Sequence, residues 1–186
     1  MPAFEKYLWY ARTLLRRPFF GHIGSMSFMG RPVFLYGRKG IFLGDKVRIM
    51  PGCRLETHNG GELHIGTNTS IGQNFHCTAG GVLNIGADCT FSGNVVVTDI
   101  DHQYREIDRH ILEQPMLVSE TSIGDNCFIG FGAVIQAGTR LGRQCVVGAN
   151  AVVRGSYPDY CVLAGVPAKI IRQYNPGTGE WERVGK

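Results

Sequence analysis

A chain of 186 residues has the length of one domain, and its 26 glycines, about 14% of the total, are roughly twice the ~7% usual in soluble proteins. Glycine and proline together reach about 18% and hydrophobic residues 44%, which excludes a low-complexity or disordered chain. Charged residues at 18% are too few for a long exposed helix, and a net charge of +4 with no basic run falls short of a nucleic-acid footprint.

Residues 3–17 (AFEKYLWYARTLLRR) place Phe4, Tyr7, Leu8, Ala11, Leu14 and Leu15 at helical spacing, and Pro18 stops the pattern. A short basic amphipathic helix is expected within residues 1–20. It could cap the end of the structure that follows or lie on a membrane surface. Arg12, Arg16 and Arg17 interrupt any secretory apolar region, and no stretch reaches the ~18 apolar residues of a membrane span. The expected location is the cytoplasm, with peripheral contact at the inner face of the membrane left open.

Beyond the helix the glycines mark a period of six. Leu43-Gly44, Ile49, Leu55, Ile65-Gly66, Ile71-Gly72, Ile85-Gly86, Phe91 and Val97 carry it with interruptions. Ile123-Gly124, Ile129-Gly130, Ile135, Leu141-Gly142, Val147-Gly148 and Val153 carry it without a break. Two Gly-Gly inserts, Gly60-Gly61 and Gly80-Gly81, lengthen one turn each and keep the register. A period of six fits neither a 3.6-residue helix nor a hairpin meander, but it does fit a short strand plus a tight turn, three to a triangular coil.

The expected fold is therefore all-β, a left-handed parallel β-helix over residues 36–163 of about five coils, beginning near Leu43, Ile65, Ile85, Ile123 and Leu141. Small or β-branched residues such as Cys127, Ala133, Thr139, Cys145 and Ala151 follow four positions behind each inward aliphatic. Four of the six cysteines occupy this repeat position and none forms a CxxC pair, so all six are read as reduced core residues.

The hexad lapses between Asp99 and Pro115, inside a glycine-free stretch from Asn94 to Ile123. A stacked prism has no need of so polar a loop, and function is expected there. The hexad ends again at Ala164-Gly165-Val166-Pro167-Ala168-Lys169-Ile170-Ile171-Arg172, and Asn175-Pro176-Gly177 reads as the start of a loose tail.

The hexads, the histidine-bearing excursion and the closing AGVPAKIIR together resemble the hexapeptide-repeat acyltransferases over residues 36–175, in particular the sugar O-acetyltransferases of O-antigen and other surface polysaccharides. Galactoside and maltose acetyltransferases look like more distant relatives. The resemblance implies a homotrimer, with acetyl-CoA and a saccharide acceptor meeting between neighbouring prisms. N-acetylation of an amino-sugar nucleotide and acetylation of a small xenobiotic or serine-type acceptor remain open. A metal-dependent carbonic anhydrase-like protein and a structural β-helix share the hexads as well.

An alcohol attacks a thioester only once a base takes its proton. His102 stands where the resembled family carries its catalytic histidine, and Asp99 or Asp101 would hold its other ring nitrogen. Backbone N–H groups around Gly130, Phe131 and Gly132 match the family's oxyanion donors on the cofactor side. Lys169 and Arg172 match basic positions at CoA, Arg154 is a weaker candidate, and Gly148 and Ala149 would leave room for the pantetheine arm. Asn74 and Asn94 could bind acceptor hydroxyls or simply form turns, and Tyr104 could stack on a sugar or shield the loop. No metal is expected: His58, His64 and His76 lack a ligand-like spacing.

Overall fold

A computed structural model describes residues 3–184 as a parallel β-helix with three flat faces. The first face stacks seven strands, from His22–Ile23 to Ser156–Tyr157. The second runs in parallel from Phe28–Met29 to Cys161–Gly165 and then adds two antiparallel strands, Ala168–Asn175 and Glu180–Arg183. The third stacks six strands, from Phe34–Tyr36 to Val152–Val153.

Equivalent hexad positions lie in register: Ile23 pairs with Leu43, Leu43 with Ile65, Ile65 with Ile85, Ile85 with Ile123 and Ile123 with Leu141. Side chains alternate across each strand, so these aliphatics all point inward and are at most 5% exposed. Each contributes about 1.5–3 kcal/mol by leaving water. The expected fold class is observed, with about seven turns. The hexad already runs through Ile23-Gly24, Met29-Gly30 and Leu35, so the prism begins at His22, one coil before Leu43.

One corner explains three of the cysteines. The Ser27 hydroxyl donates to the Gly44 carbonyl at 2.7 Å and Thr69 to Gly86 at 2.9 Å. Cys89, Cys127 and Cys145 point their thiols in the same way at Gly124, Gly142 and Pro158, each at 3.2 Å. The position takes a small side chain that offers a hydrogen to the next coil. All six cysteines are buried and unpaired, and burial pushes the Cys53 thiol up to about 12.

The N-terminal helix, Ala3–Arg16, covers the start of the second face. Trp9 packs on Phe28 with ring centroids 6.1 Å apart, and the buried Thr13 hydroxyl accepts the Met29 N–H at 2.9 Å. The helix thus satisfies an edge donor that would otherwise be lost. Its covered stripe is narrow, with Thr13 buried and Trp9, Tyr10 and Arg16 half-buried. The helix caps the end of the prism, one of the two roles left open for it, while Phe4, Tyr7, Leu8, Leu14 and Leu15 of its apolar spacing face solvent.

The excursion is a two-stranded antiparallel ribbon in which Ile100–His102 pairs with Met116–Val118. Beyond it, the buried Gln114 amide holds the tip by bonding the Glu106 and Arg109 carbonyls at 3.1 Å each. The expected loose tail is also corrected. Asn175 accepts the Gly177 N–H at 2.9 Å and donates to the Glu182 carboxylate at 2.8 Å, which closes a turn and lets Glu180–Arg183 pair with Ala168–Asn175.

Candidate active site

His102 lies at the corner where the third face turns back to the first, on the ribbon that leaves the fourth coil there. Asp99, only 1% exposed, fixes the ribbon's root: its two carboxylate oxygens accept the Gly80 and Gly81 N–H groups at 2.7 and 2.9 Å. The second Gly-Gly insert is needed for this seat. A Cβ on Gly80 would lie 2.9 Å from Val118 and 3.0 Å from Ile100.

Side chains alternate along the ribbon strand. Ile100 packs against Gly80, on the side of the earlier coils, whereas the Asp101 carboxylate reaches the Arg154 guanidinium at 2.7 Å, two coils further on. His102 shares the Ile100 side and is exposed. Both candidate orienting carboxylates are therefore engaged elsewhere, Asp99 with backbone N–H groups and Asp101 with Arg154. Among the described residues neither is bonded to the His102 ring. Arg154, expected on the cofactor side, belongs to the ribbon, a link that its sequence distance from Asp101 concealed.

The remaining candidates gather at the opposite edge of the third face, where the second face turns into it. Gly130 and Gly148 follow their strands there, and a Cβ on Gly148 would touch the Ala164 methyl at 3.3 Å. Ala164 pairs with Lys169, and Val162 with Arg172. Two residues three apart on a regular strand face opposite sides, but the chain bulges between these pairs and returns both cations to one side. Small residues and two exposed cations so form one strip. The Gly130 and Gly132 N–H groups are spent on the Val147 and Gly93 carbonyls, at 2.8 and 3.0 Å, and are not free for an oxyanion. Among the described residues the Phe131 N–H has no such partner.

Asn74 and Asn94 sit at this same edge with φ of 56° and 59°, and the Asn74 amide donates to Asn94 at 2.9 Å. They form a turn ladder, a conformation asparagine tolerates. Tyr104 is exposed on the excursion. His64 stacks on Phe42 on the first face, while His58 and His76 lie on the third, so one chain does not bring the three histidines together. Within one chain, then, the basic strip and His102 occupy opposite edges of the third face.

The architecture is a hexad-built parallel β-helix with one histidine-bearing excursion. Residues 120–154 match the family model described as hexapeptide repeat of succinyl-transferase. WbbJ of Escherichia coli K12, named as a lipopolysaccharide biosynthesis O-acetyl transferase, is 32% identical over 179 residues, covering 92% of this chain and 90% of its own. The galactoside O-acetyltransferase of E. coli K12 is 31% identical over 116 residues, 62% of this chain and 56% of that one. Among solved structures, a point mutant of AntD, an N-acyltransferase from Bacillus cereus, in complex with dTDP and coenzyme A superimposes with a TM-score of 0.77 at 19% identity, covering 91% of this chain and 93% of that one. A galactoside acetyltransferase in complex with coenzyme A gives a TM-score of 0.65 at 22% identity over 95% of this chain and 78% of that one. The chain belongs to the hexapeptide-repeat acyltransferase family and is an acetyltransferase.

Proposed function

We propose that the protein is an acetyl-CoA-dependent O-acetyltransferase that modifies a saccharide in surface polysaccharide biosynthesis, with His102 as general base. The observation that carries this reading is the exposed His102 on a ribbon strand anchored just before its start by Asp99 on the glycine step and at its middle by Asp101 on Arg154. His102 takes the hydroxyl proton as the oxygen attacks the acetyl carbonyl carbon. As the carbon–sulfur bond breaks, the imidazolium returns that proton to the thiolate. The Phe131 N–H is the backbone donor available to the intervening oxyanion.

Lys169 and Arg172 would hold the phosphates of acetyl-CoA, with Gly148 and Ala149 leaving room for its arm. Because this strip and His102 lie on opposite edges of one chain, we read the working site as shared between copies in a homotrimer. The similarity to WbbJ favours a hydroxyl over an amine as acceptor. A cytoplasmic location suits a chain in which no described helix is long and apolar enough to cross a membrane. The outward Phe4, Tyr7, Leu8 and Leu15, with Lys6 and Arg12, would suit contact at the membrane face. Colorimetric release of CoA thiol from acetyl-CoA, with and without a saccharide panel, tests the reading. Acceptor-dependent release supports it, and release without transfer to any sugar contradicts it.

A further inference from the structure

The outer side of the third face carries a charged cluster in its early coils. Glu56 points outward yet is only 6% exposed. Its carboxylate bonds the Arg54 guanidinium, lies 3.1 Å from His58 Nε2 and is 3.7 Å from His76 Nε2. Hydrogen bonding from Arg54 holds its pKa below the usual carboxylate range, with His58 acting in the same direction, so it is an anion at neutral pH. Tyr36 lies over His58 with centroids 5.0 Å apart, giving the cluster an aromatic wall.

Tyr36, Glu56, Thr78 and Thr98 are stacked partners on successive coils. Thr98 immediately precedes the root of the ribbon, and two rungs place Glu56 about 10 Å from it. His102 faces the earlier coils, the direction in which this column runs.

A cleft of about 740 Å³ adjoins the cluster at Tyr36 and Thr57, on the same corner as the ribbon. Arg38 and Lys39 line it, and among the described residues neither is paired with a carboxylate. Arg38 lies over the Phe19 ring at 5.3 Å, and Lys39 donates to the Pro18 carbonyl at 2.8 Å. The nearby Arg16 has a buried Nη1 with no partner, and burial, followed by the charges of Arg12 and Arg38, holds its pKa below the usual arginine range. Glu62, the acid that borders the cleft, has its carboxylate 2.7 Å from His64 Nε2. With two cations, Arg38 and Lys39, against the one carboxylate of Glu62, the cleft lining carries a net positive charge.

We propose that this corner binds a saccharide carrying a phosphate or diphosphate group, with Glu56 accepting hydrogen bonds from sugar hydroxyls and Arg38 and Lys39 taking the phosphate. A fixed carboxylate can accept from two adjacent hydroxyls, and a guanidinium grips phosphate through two parallel donors. The inference deepens the reading of the protein as a saccharide acetyltransferase: Glu56 would set acceptor specificity, and the anionic end would aim the sugar toward His102.

Titration calorimetry with inorganic pyrophosphate and a panel of UDP-glucose, UDP-galactose, UDP-N-acetylglucosamine and dTDP-glucose tests it without acetyl-CoA. The parent is expected to bind pyrophosphate and at least one sugar nucleotide. Arg38→Ala with Lys39→Ala should weaken both by about tenfold or more. Glu56→Gln should weaken the sugar nucleotide about fivefold and leave pyrophosphate unchanged. Should Glu56→Gln unfold, Tyr36→Ala carries the same expectation. Competition by UDP or by farnesyl diphosphate separates a nucleotide-linked from an isoprenoid-linked acceptor. A parent that binds none of these probes, or variants that fail this split, overturn the proposal. If the split is seen but acetyl-CoA yields no transfer, the binding assignment stands and the transferase reading falls.

Discussion

Asp101 Oδ2 and Arg154 Nη2 lie 2.7 Å apart, joining the ribbon strand beside His102 to a corner 53 residues further along the chain. The pair is half in water, so it adds no more than about 1 kcal/mol to stability. Its value is positional. Asp101→Asn and Arg154→Ala should each lower kcat about three- to tenfold while shifting Tm by less than about 3 °C, and Arg154→Lys should recover part of the loss. Equal kcat in parent and variants would remove the ribbon's dependence on this contact.

Asp99 should behave in the opposite way. Its replacement by alanine leaves the Gly80 and Gly81 N–H groups without acceptors in a buried place, at a cost of about 2–4 kcal/mol. Thermal melting is expected to fall by roughly 4–16 °C, with activity lost alongside it. Unchanged melting would mean that the ribbon root is held by something else.

Acid should loosen the early coils in two stages. Burial holds the His76 pKa below its ordinary value, so folded His76 binds fewer protons than the unfolded chain, and stability is lost once pH drops below about 6.5. Glu56 is depressed too; its contribution is present above the usual carboxylate range and disappears as pH falls through its lower folded value. Melting of the parent should decline from pH 7 toward pH 3, and His76→Gln should flatten the upper part of that decline. A pH-independent Tm over this range contradicts the assignment.

The separation of His102 from the basic strip predicts complementation between inactive chains. His102→Ala alone and Lys169→Ala with Arg172→Ala alone should both be nearly silent at low acetyl-CoA. When the two are co-expressed, random assembly into a shared-site trimer restores about a quarter of parental sites. No recovery in verified mixed oligomers would argue for a site built within one chain.

The hexad made most of this fold legible, because an inward aliphatic every sixth residue allows one arrangement of strand and turn. It also ran through Ile23 and Met29, but the exposed, aromatic-rich helix before it obscured the first coil. The site was readable only in part. His102 stood out by breaking the period, whereas the partners of Asp99 and Asp101 depend on contacts across coils that spacing does not encode. Lys169 and Arg172 share a side through a bulge, which no strand pattern anticipates. Glu56 carried no signal at all, since its burial comes from neighbours one coil away.

The most direct test of the account is acceptor-dependent CoA thiol release by the parent and by His102→Ala under saturating acetyl-CoA. His102 is exposed, so the variant should fold and melt like the parent while kcat falls by about 100-fold or more. Equal rates in the two proteins would contradict the central claim that this histidine moves the proton.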